Sequence, residues 1–498
     1  MGTDPIYRSF AEGKWGLSPF ISGAAAVPAF APIGFFPIAL LSFAWLAHLW
    51  AGASPRRAFW TGFLFGLGLF GTGVSWVYVS LSQFGGMPPP LAALATFLFC
   101  ALLAAFTGGA GWLQARVPAS GPVRALLLIP ASWALFEWLR SWVFTGFPWL
   151  AAGYAATGWP LQGFAPLFGV FGISFLVVSL AGMLWWLART RRAMILAPIA
   201  LVLVAGQLLR AVEWTSPAGG PVSVALLQGN VGQEMKFRPE HYARTLDTYA
   251  RLTEQASARL VVLPETALPQ FLDRIDAAYL ARLEAAARRN NGDLLFGVPY
   301  RSAQGDYFNS VVSLGSAPRQ FYHKSHLVPF GEFVPPLFGW VMNWLKIYLG
   351  DFARGAPDQP PLAVAGQQVA VNVCYEDAFG DAIGSQARRA TLLVNVSNVA
   401  WFGDSLAPSQ HLQIARLRAV ETGRVHLAAT NTGITAAIDR DGVVLARLPQ
   451  YAEGFLEIAV QGYTGVTPYM RWSDWPIVVL SLALLSGAAF VAWRRQRR

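Results

Sequence analysis

Apolar positions run in long blocks over the first two hundred residues. They shorten to strand length between about 220 and 470 and return as one block before the C-terminus. A helix needs roughly 20 apolar residues to cross a bilayer, and blocks of that size lie near 58–82, 91–114, 164–187 and 475–493. Less clean blocks cover 33–50, 121–139 and 193–209, and a shorter one at 16–31 is broken by Pro19 and Pro28. The pattern predicts eight membrane-spanning helices. Ala29-Phe30-Ala31 superficially resembles a signal-peptide cleavage site, but Pro32 and a new apolar run follow at once, so the segment is expected to be retained.

Between the seventh and eighth blocks the periodicity is that of an α/β domain. Strands are expected at 222–228, 260–263, 293–299, 307–315, 319–323, 369–373, 391–396, 426–438, 442–447 and 454–460. Helices are expected at 238–257, 275–289 and 409–423, and an aromatic loop at 329–361. Alternating strands and helices that give way to strands fit a layered sandwich with helices outside. The division is 1–219, membrane helices one to seven; 220–470, an α/β domain; and 471–498, the eighth helix with a basic tail.

Charge supplies the orientation. The net charge of +10 is unevenly spread. Residues 220–470 hold 21 Lys+Arg against 22 Asp+Glu, and the remainder holds 16 against 5. That excess gathers at Arg8 and Lys14, Arg56 and Arg57, Arg116 and Arg124, Arg189, Arg191 and Arg192, and Arg494, Arg495, Arg497 and Arg498. With eight spans these clusters all fall on one side, which the positive-inside rule makes cytoplasmic, and the 220–470 domain lies on the outer face. The excess therefore orients helices and does not suggest a nucleic-acid partner. Hydrophobic residues at 54% and charged residues at 13% exclude disorder. Two cysteines, Cys100 and Cys374, make no disulfide framework or Cys-rich zinc site.

Reactive groups stand at the ends of three apolar strands. Leu260-Val-Val-Leu-Pro-Glu265 puts a carboxylate where α/β sheets hold ligands. Tyr322-His-Lys-Ser-His-Leu-Val-Pro-Phe-Gly-Glu332 supplies Lys324, His326 and Glu332. Val369-Ala-Val-Asn-Val-Cys-Tyr-Glu376 ends in Cys374 and Glu376. A thiol needs a base to become a thiolate, and a tetrahedral adduct needs a cation or N–H at its oxyanion. Glu265 suits the first task and Lys324, one of four lysines, the second. Taken singly, each has a blander reading: a buried small hydrophobe for Cys374, strand-terminal carboxylates for Glu265 and Glu376, a solvated lysine for Lys324. Cys100 lies in an apolar span and reads as packing. His323 and His326 lack a third metal ligand. Glu137, beside Arg140 near the end of the fifth span, either reaches the outer interface or serves as an intramembrane functional carboxylate.

Together the three segments resemble the nitrilase, or carbon–nitrogen hydrolase, superfamily, whose Glu-Lys-Cys triad occurs in this chain order. The resemblance is closer to its membrane branch, the apolipoprotein N-acyltransferases. It rests on His326-Leu-Val-Pro-Phe-Gly-Glu332, Cys374-Tyr-Glu376, Leu227-Gln-Gly-Asn230, Asn395-Val-Ser-Asn398 with Trp401-Phe-Gly, and Gln413-Ile-Ala-Arg-Leu-Arg-Ala-Val-Glu421 before Asn431-Thr-Gly433. It covers essentially the whole chain.

The resemblance implies an α-β-β-α sandwich on the periplasmic face of a bacterial inner membrane. It implies transfer of an acyl chain from a phospholipid, typically phosphatidylethanolamine, to the N-terminal amine of a diacylglyceryl apolipoprotein. By motif, Glu265 becomes the general base, Cys374 the nucleophile and Lys324 the oxyanion stabiliser. Glu332 would hold the lysine or assist the base, and Tyr375 and Glu376 would support the cysteine loop. Phe237 stands where the family usually has Trp. Trp340, Met342, Trp344 and Tyr348, in the segment 333–349, are candidates for a gate that dips into the outer leaflet, or belong to a packed loop with a small core. Trp401 is a further candidate at the lipid entrance. Trp149, Tyr154 and Trp159 would line the same entrance or anchor the aromatic belt. No metal or cofactor is implied, and nothing calls for more than a monomer.

Two other classes remain open on the residues. A membrane-anchored amidase with the same triad would hydrolyse a small amide. A transporter or scaffold would use the spans and leave Cys374 dispensable; the few ionisable groups in the spans weigh against ion transport.

Overall fold

The computed structural model describes residues 16–236, 238–334 and 352–497. Among these, four helices are long and apolar enough to cross a bilayer: Pro89–Arg116, Gly121–Arg140, Pro160–Thr190 and Trp475–Gln496. A fifth candidate is broken. The block expected to run straight over 58–82 forms Pro55–Gly73 and Val77–Phe84, bent by 58°. The cause is a side chain inserted at the break, since Gln410 of the α/β domain donates its amide to the Gly73 carbonyl at 2.9 Å. The blocks at 33–50 and 193–209 form helices of 15 and 14 residues, Phe36–Trp50 and Leu196–Leu209. Fifteen residues reach about 22 Å, short of the roughly 30 Å hydrocarbon core. The block at 16–31 forms Ser18–Ala25 and a 3₁₀ turn, Val27–Ala29.

Apolar faces all round leave the helices to pack through small residues. A Cβ on Gly62 would lie 2.5 Å from the Thr107 carbonyl oxygen, so Pro55–Gly73 and Pro89–Arg116 touch nearly backbone to backbone. Glu137 is buried. It accepts hydrogen bonds from Trp133 Nε1 at 2.7 Å and the Ala152 amide at 2.8 Å, which makes it a brace for the following loop.

The α/β domain is two stacked six-stranded sheets. Its strands are β1 (Ser216–Gln228), β2 (Leu260–Val262), β3 (Asp293–Arg301), β4 (Tyr307–Gly315), β5 (Phe321–His323), β6 (Leu362–Val364), β7 (Gln367–Val373), β8 (Leu392–Ser397), β9 (Val425–Thr430), β10 (Ala436–Ile438), β11 (Val444–Arg447) and β12 (Gly454–Thr464). One sheet has the order β12-β1-β2-β3-β4-β5 and the other β11-β10-β9-β8-β7-β6. The pairs β1–β2, β2–β3, β7–β8 and β8–β9 are parallel. Both faces of these strands are covered, which explains their unbroken apolar runs.

Val224, Leu226, Val262 and Leu295 meet Val371, Val373, Val394 and Leu427 between the sheets. Helices Pro239–Gln255 and Ala277–Arg289 cover the outer face of the first sheet, and Gly380–Ala387 and Ala407–Thr422 that of the second. The result is the expected α-β-β-α order. The run expected as one strand over 426–438 is split into β9 and β10 by a turn that Thr435 ties to Thr430. Strand β6 and the helix Gly380–Ala387 were not anticipated.

Helix Ala407–Thr422 is the hinge of the architecture. Its Ile414, Leu417 and Val420 belong to the apolar core of the membrane helices. Gln410 accepts both indole N–H groups of Trp76 (3.1 Å) and Trp149 (2.7 Å). Gln413 bonds the Ala31 amide and the Tyr154 carbonyl, and Arg418 donates to the Tyr154 hydroxyl. Trp149 and Tyr154 are therefore buried between the two parts of the molecule, while Trp159 is partly exposed.

Candidate active site

The C-terminal ends of β2, β5, β7, β8 and β9 point to one edge of the sandwich, as parallel topology requires. Glu265 follows β2, Lys324 follows β5, Cys374 follows β7, Asn398 follows β8 and Asn431 follows β9. The expected Glu265, Lys324, Cys374 and Glu332 are thereby brought together, although Glu265 and Cys374 lie more than a hundred residues apart along the chain.

Lys324 Nζ lies 2.8 Å from one Glu332 oxygen, 2.9 Å from the other and 3.4 Å from Glu265 Oε1. Asn309, on β4, spends both amide hydrogens on this pair, reaching Glu265 Oε1 and Glu332 Oε1 at 2.8 Å each. The second Glu265 oxygen accepts the Asn398 backbone N–H at 2.9 Å. The second Glu332 oxygen accepts the Val328 N–H at 2.8 Å. Lys236 then closes the cluster from the other side, donating to the Glu265 main-chain carbonyl at 2.9 Å.

Electrostatics follow from this packing. Burial works against ionisation of Glu265. The charge of Lys324, the Asn309 hydrogen bond, the charge of Lys236 and the Asn398 amide outweigh it, and the carboxyl sits below its usual range. Burial likewise opposes the Lys324 charge, and the Glu332 and Glu265 carboxylates overcome it, so the ammonium persists well above the ordinary lysine range. Burial, followed by the negative field of Glu265, pushes the Cys374 thiol far up, and Lys324 offsets only part of that. Cys374 is therefore a neutral thiol near an ionised Glu265 carboxylate.

Cys374 is half-buried and has φ +55°, in the left-handed region. For a non-glycine residue this costs about 1–2 kcal/mol, and it throws the side chain off the strand line at the start of the 3₁₀ turn Cys374–Ala378. Glu376 holds that turn. It accepts from the Val373 N–H (2.7 Å), Tyr322 OH (2.9 Å), Ser325 N–H (2.7 Å), Ser325 OH (2.8 Å) and His326 N–H (2.9 Å). It thus clamps the strand that carries Cys374 to the loop that carries Lys324. Tyr375 faces the membrane helices, donating its hydroxyl to the Gly146 carbonyl at 2.8 Å beside the rings of Phe147 and Trp149.

His323 Nδ1 lies 2.7 Å from Ser310 Oγ, and His326 stacks on Phe379, where burial holds its imidazole down to about 4. Trp401 is 37% exposed on the turn Val399–Phe402. Its ring lies 6.2 Å from that of Phe84, across from the bent helix. Phe237, Trp340, Met342, Trp344 and Tyr348 lie outside the described residues. Asn309 and Lys236 belong to the site and were not anticipated as such. A lone Asn at the mouth of an apolar strand was the available signal for the first.

Comparison with known proteins follows the same division of the chain. Residues 22–183 match the apolipoprotein N-acyltransferase N-terminal domain, and residues 223–469 match the carbon–nitrogen hydrolase family. The chain is 46% identical over 492 residues to an apolipoprotein N-acyltransferase of Nitrosomonas europaea, covering 97% of this chain and 98% of that one. It is also 46% identical to the enzymes of that name from Methylococcus capsulatus (96% of each chain) and Chromobacterium violaceum (96% of this chain, 94% of that one).

Proposed function

The chain belongs to the apolipoprotein N-acyltransferase family, and from that premise we propose a two-step acyl transfer centred on Cys374. The donor is a phospholipid, phosphatidylethanolamine in particular, and the acceptor is the N-terminal amine of a diacylglyceryl apolipoprotein. In the first step Glu265 takes the Cys374 proton, sulfur bonds the ester carbonyl carbon, and Lys324 donates to the oxyanion. Collapse breaks the ester C–O bond, the departing glycerol oxygen takes the proton back from Glu265, and a lysophospholipid leaves a thioester behind. In the second step the amine attacks the thioester carbonyl and its proton passes to Glu265. The C–S bond breaks, and that proton returns to sulfur.

Glu332 holds Lys324, and Tyr375 and Glu376 fix the turn. The observation that carries this reading is the bond between Tyr375 and the membrane loop at Gly146, one residue from the nucleophile. A thiol placed there meets a lipid ester at the bilayer surface, and exclusion of water protects the thioester until the amine arrives. A small-amide hydrolase has no use for that coupling.

The topology belongs to the same proposal. Residues 1–219 contribute seven spans and 471–498 an eighth, with the 220–470 domain on the periplasmic face of a bacterial inner membrane. The gap between Phe84, at the end of the bent helix, and Trp401, on the turn Val399–Phe402, is the entrance for the lipid. The protein acts as a monomer.

The test is the mass of Cys374 in phospholipid nanodiscs. An added fatty-acyl mass that a diacylglyceryl-cysteine peptide removes, with Cys374→Ser and Glu265→Gln inert, is the expected result. Labelling that the peptide cannot chase, or turnover in either variant, overturns the proposal.

A further inference from the structure

Lys236 is buried at 2% exposure on the short helical turn Gln233–Lys236. Its backbone is fixed from the opposite sheet. Asn431 bonds the Val231 N–H and carbonyl, and Asn398 donates to Gln233 at 2.7 Å. The ammonium reaches the Glu265 main-chain carbonyl at 2.9 Å, and the titratable groups that face it are Glu265 and Cys374, with Lys324 and Glu332 beyond Glu265.

Lys324 cannot serve Glu265 fully, since both Glu332 oxygens lie closer to it. A cluster of Lys324, Lys236, Glu265 and Glu332 around a neutral thiol sums to zero. It also sums to zero at the tetrahedral stage, when Glu265 holds the proton and the oxyanion carries the negative charge. Remove the Lys236 charge and both stages carry one uncompensated negative charge in a buried site, where charge is costly. Glu265 would then hold its proton more tightly and fail as a base at a higher pH than it does beside the Lys236 charge.

We propose that Lys236 is a positioning residue for the acyl transfer: its ammonium keeps Glu265 ionised and frees Lys324 to serve the oxyanion. This rests on the Glu265–Lys324–Cys374 roles given above. Burial brings the Lys236 amine itself down to about 8, partly opposed by Glu265 and Cys374, so the same charge is lost on the alkaline side.

The test follows acyl-Cys374 formation by intact mass in phospholipid nanodiscs, from about pH 3 to about pH 8, a window that reaches below the ordinary carboxyl range. In Lys236→Met the acid limb should move up by about one unit, which makes the rate on that limb about tenfold slower. Lys236→Arg should restore the wild-type acid limb, a rescue that simple loss of packing does not predict. An acid limb in Lys236→Met that coincides with the wild type overturns the inference. Should Lys236→Met fail to fold, Lys236→Gln is read in its place, and an acid limb there that coincides with the wild type overturns the inference. Glu265→Gln separates the two levels, because acylation in that variant removes the triad itself, whereas an inert Glu265→Gln beside an unshifted Lys236→Met removes only the role of Lys236.

Discussion

Glu376→Gln tests the clamp between nucleophile and cation. Five hydrogen bonds end on this carboxylate, three on Oε1 from Ser325 and His326 and two on Oε2 from Tyr322 and Val373. Glutamine of the same shape can turn its oxygen toward Ser325 and His326 and let the Tyr322 hydroxyl accept from its NH2. The Val373 N–H then meets a second donor. Turning the amide the other way sets NH2 against two backbone N–H groups, those of Ser325 and His326, so the first orientation wins.

One orphaned buried N–H costs about 1–3 kcal/mol, and the three remaining bonds lose their charge assistance at roughly 0.5–1 kcal/mol each. Relief from burying a charge returns part of this, leaving about 2–4 kcal/mol. For a unit of this size that corresponds to a fall in melting temperature of roughly 5–15 °C. Loosening Cys374 from Lys324 should also slow acyl-Cys374 formation by about 10–100-fold, because near-attack geometry is lost. Thermal unfolding in nanodiscs and intact mass measure the two effects. A variant that melts within about 1 °C of wild type and acylates within about twofold would show that the clamp neither stabilises the turn nor positions the nucleophile.

Two further outcomes follow from the same geometry. Because the Glu265 carboxylate raises the Cys374 thiol, Glu265→Gln should lower it and speed iodoacetamide alkylation at about pH 8, even as acyl transfer stops; slower alkylation would reverse the assigned sign. Gln410→Leu strands the indole N–H groups of Trp76 and Trp149 and the Gly73 carbonyl, at about 1–3 kcal/mol for each group. Helix Ala407–Thr422 and the 141–163 loop should then exchange amide hydrogens faster, and protection equal to wild type would refute the docking role of Gln410.

What was legible in the sequence is what has a local cause. Glu265, Lys324 and Cys374 each follow a strand-length apolar run, and parallel strands place such residues at one edge without further information. The break at Gly73 is signalled locally only by Gly71, Gly73 and Ser75, and the group that occupies it is Gln410, 337 residues away. Asn309 looks like a stray polar residue in β4 until Glu265 and Glu332 arrive on either side of it. Lys236 was visible as one of four lysines, but its importance depends on a turn held by Asn398 and Asn431 from the other sheet.

The segment Cys374-Tyr-Glu-Asp377 joins both kinds of information. Its sequence marks a nucleophile, and its fold gives four successive side chains four directions. Cys374 turns to the charge cluster, Tyr375 to Gly146 of the membrane loop, and Glu376 to the Lys324 loop. Asp377 turns to His426 on β9 at 2.9 Å and His411 on the docking helix at 3.4 Å. A 3₁₀ turn of five residues has no slack with which to absorb a shift in one direction. The same turn thus ties the membrane loop, through Tyr375, and the Lys324 loop, through Glu376, to the position of Cys374.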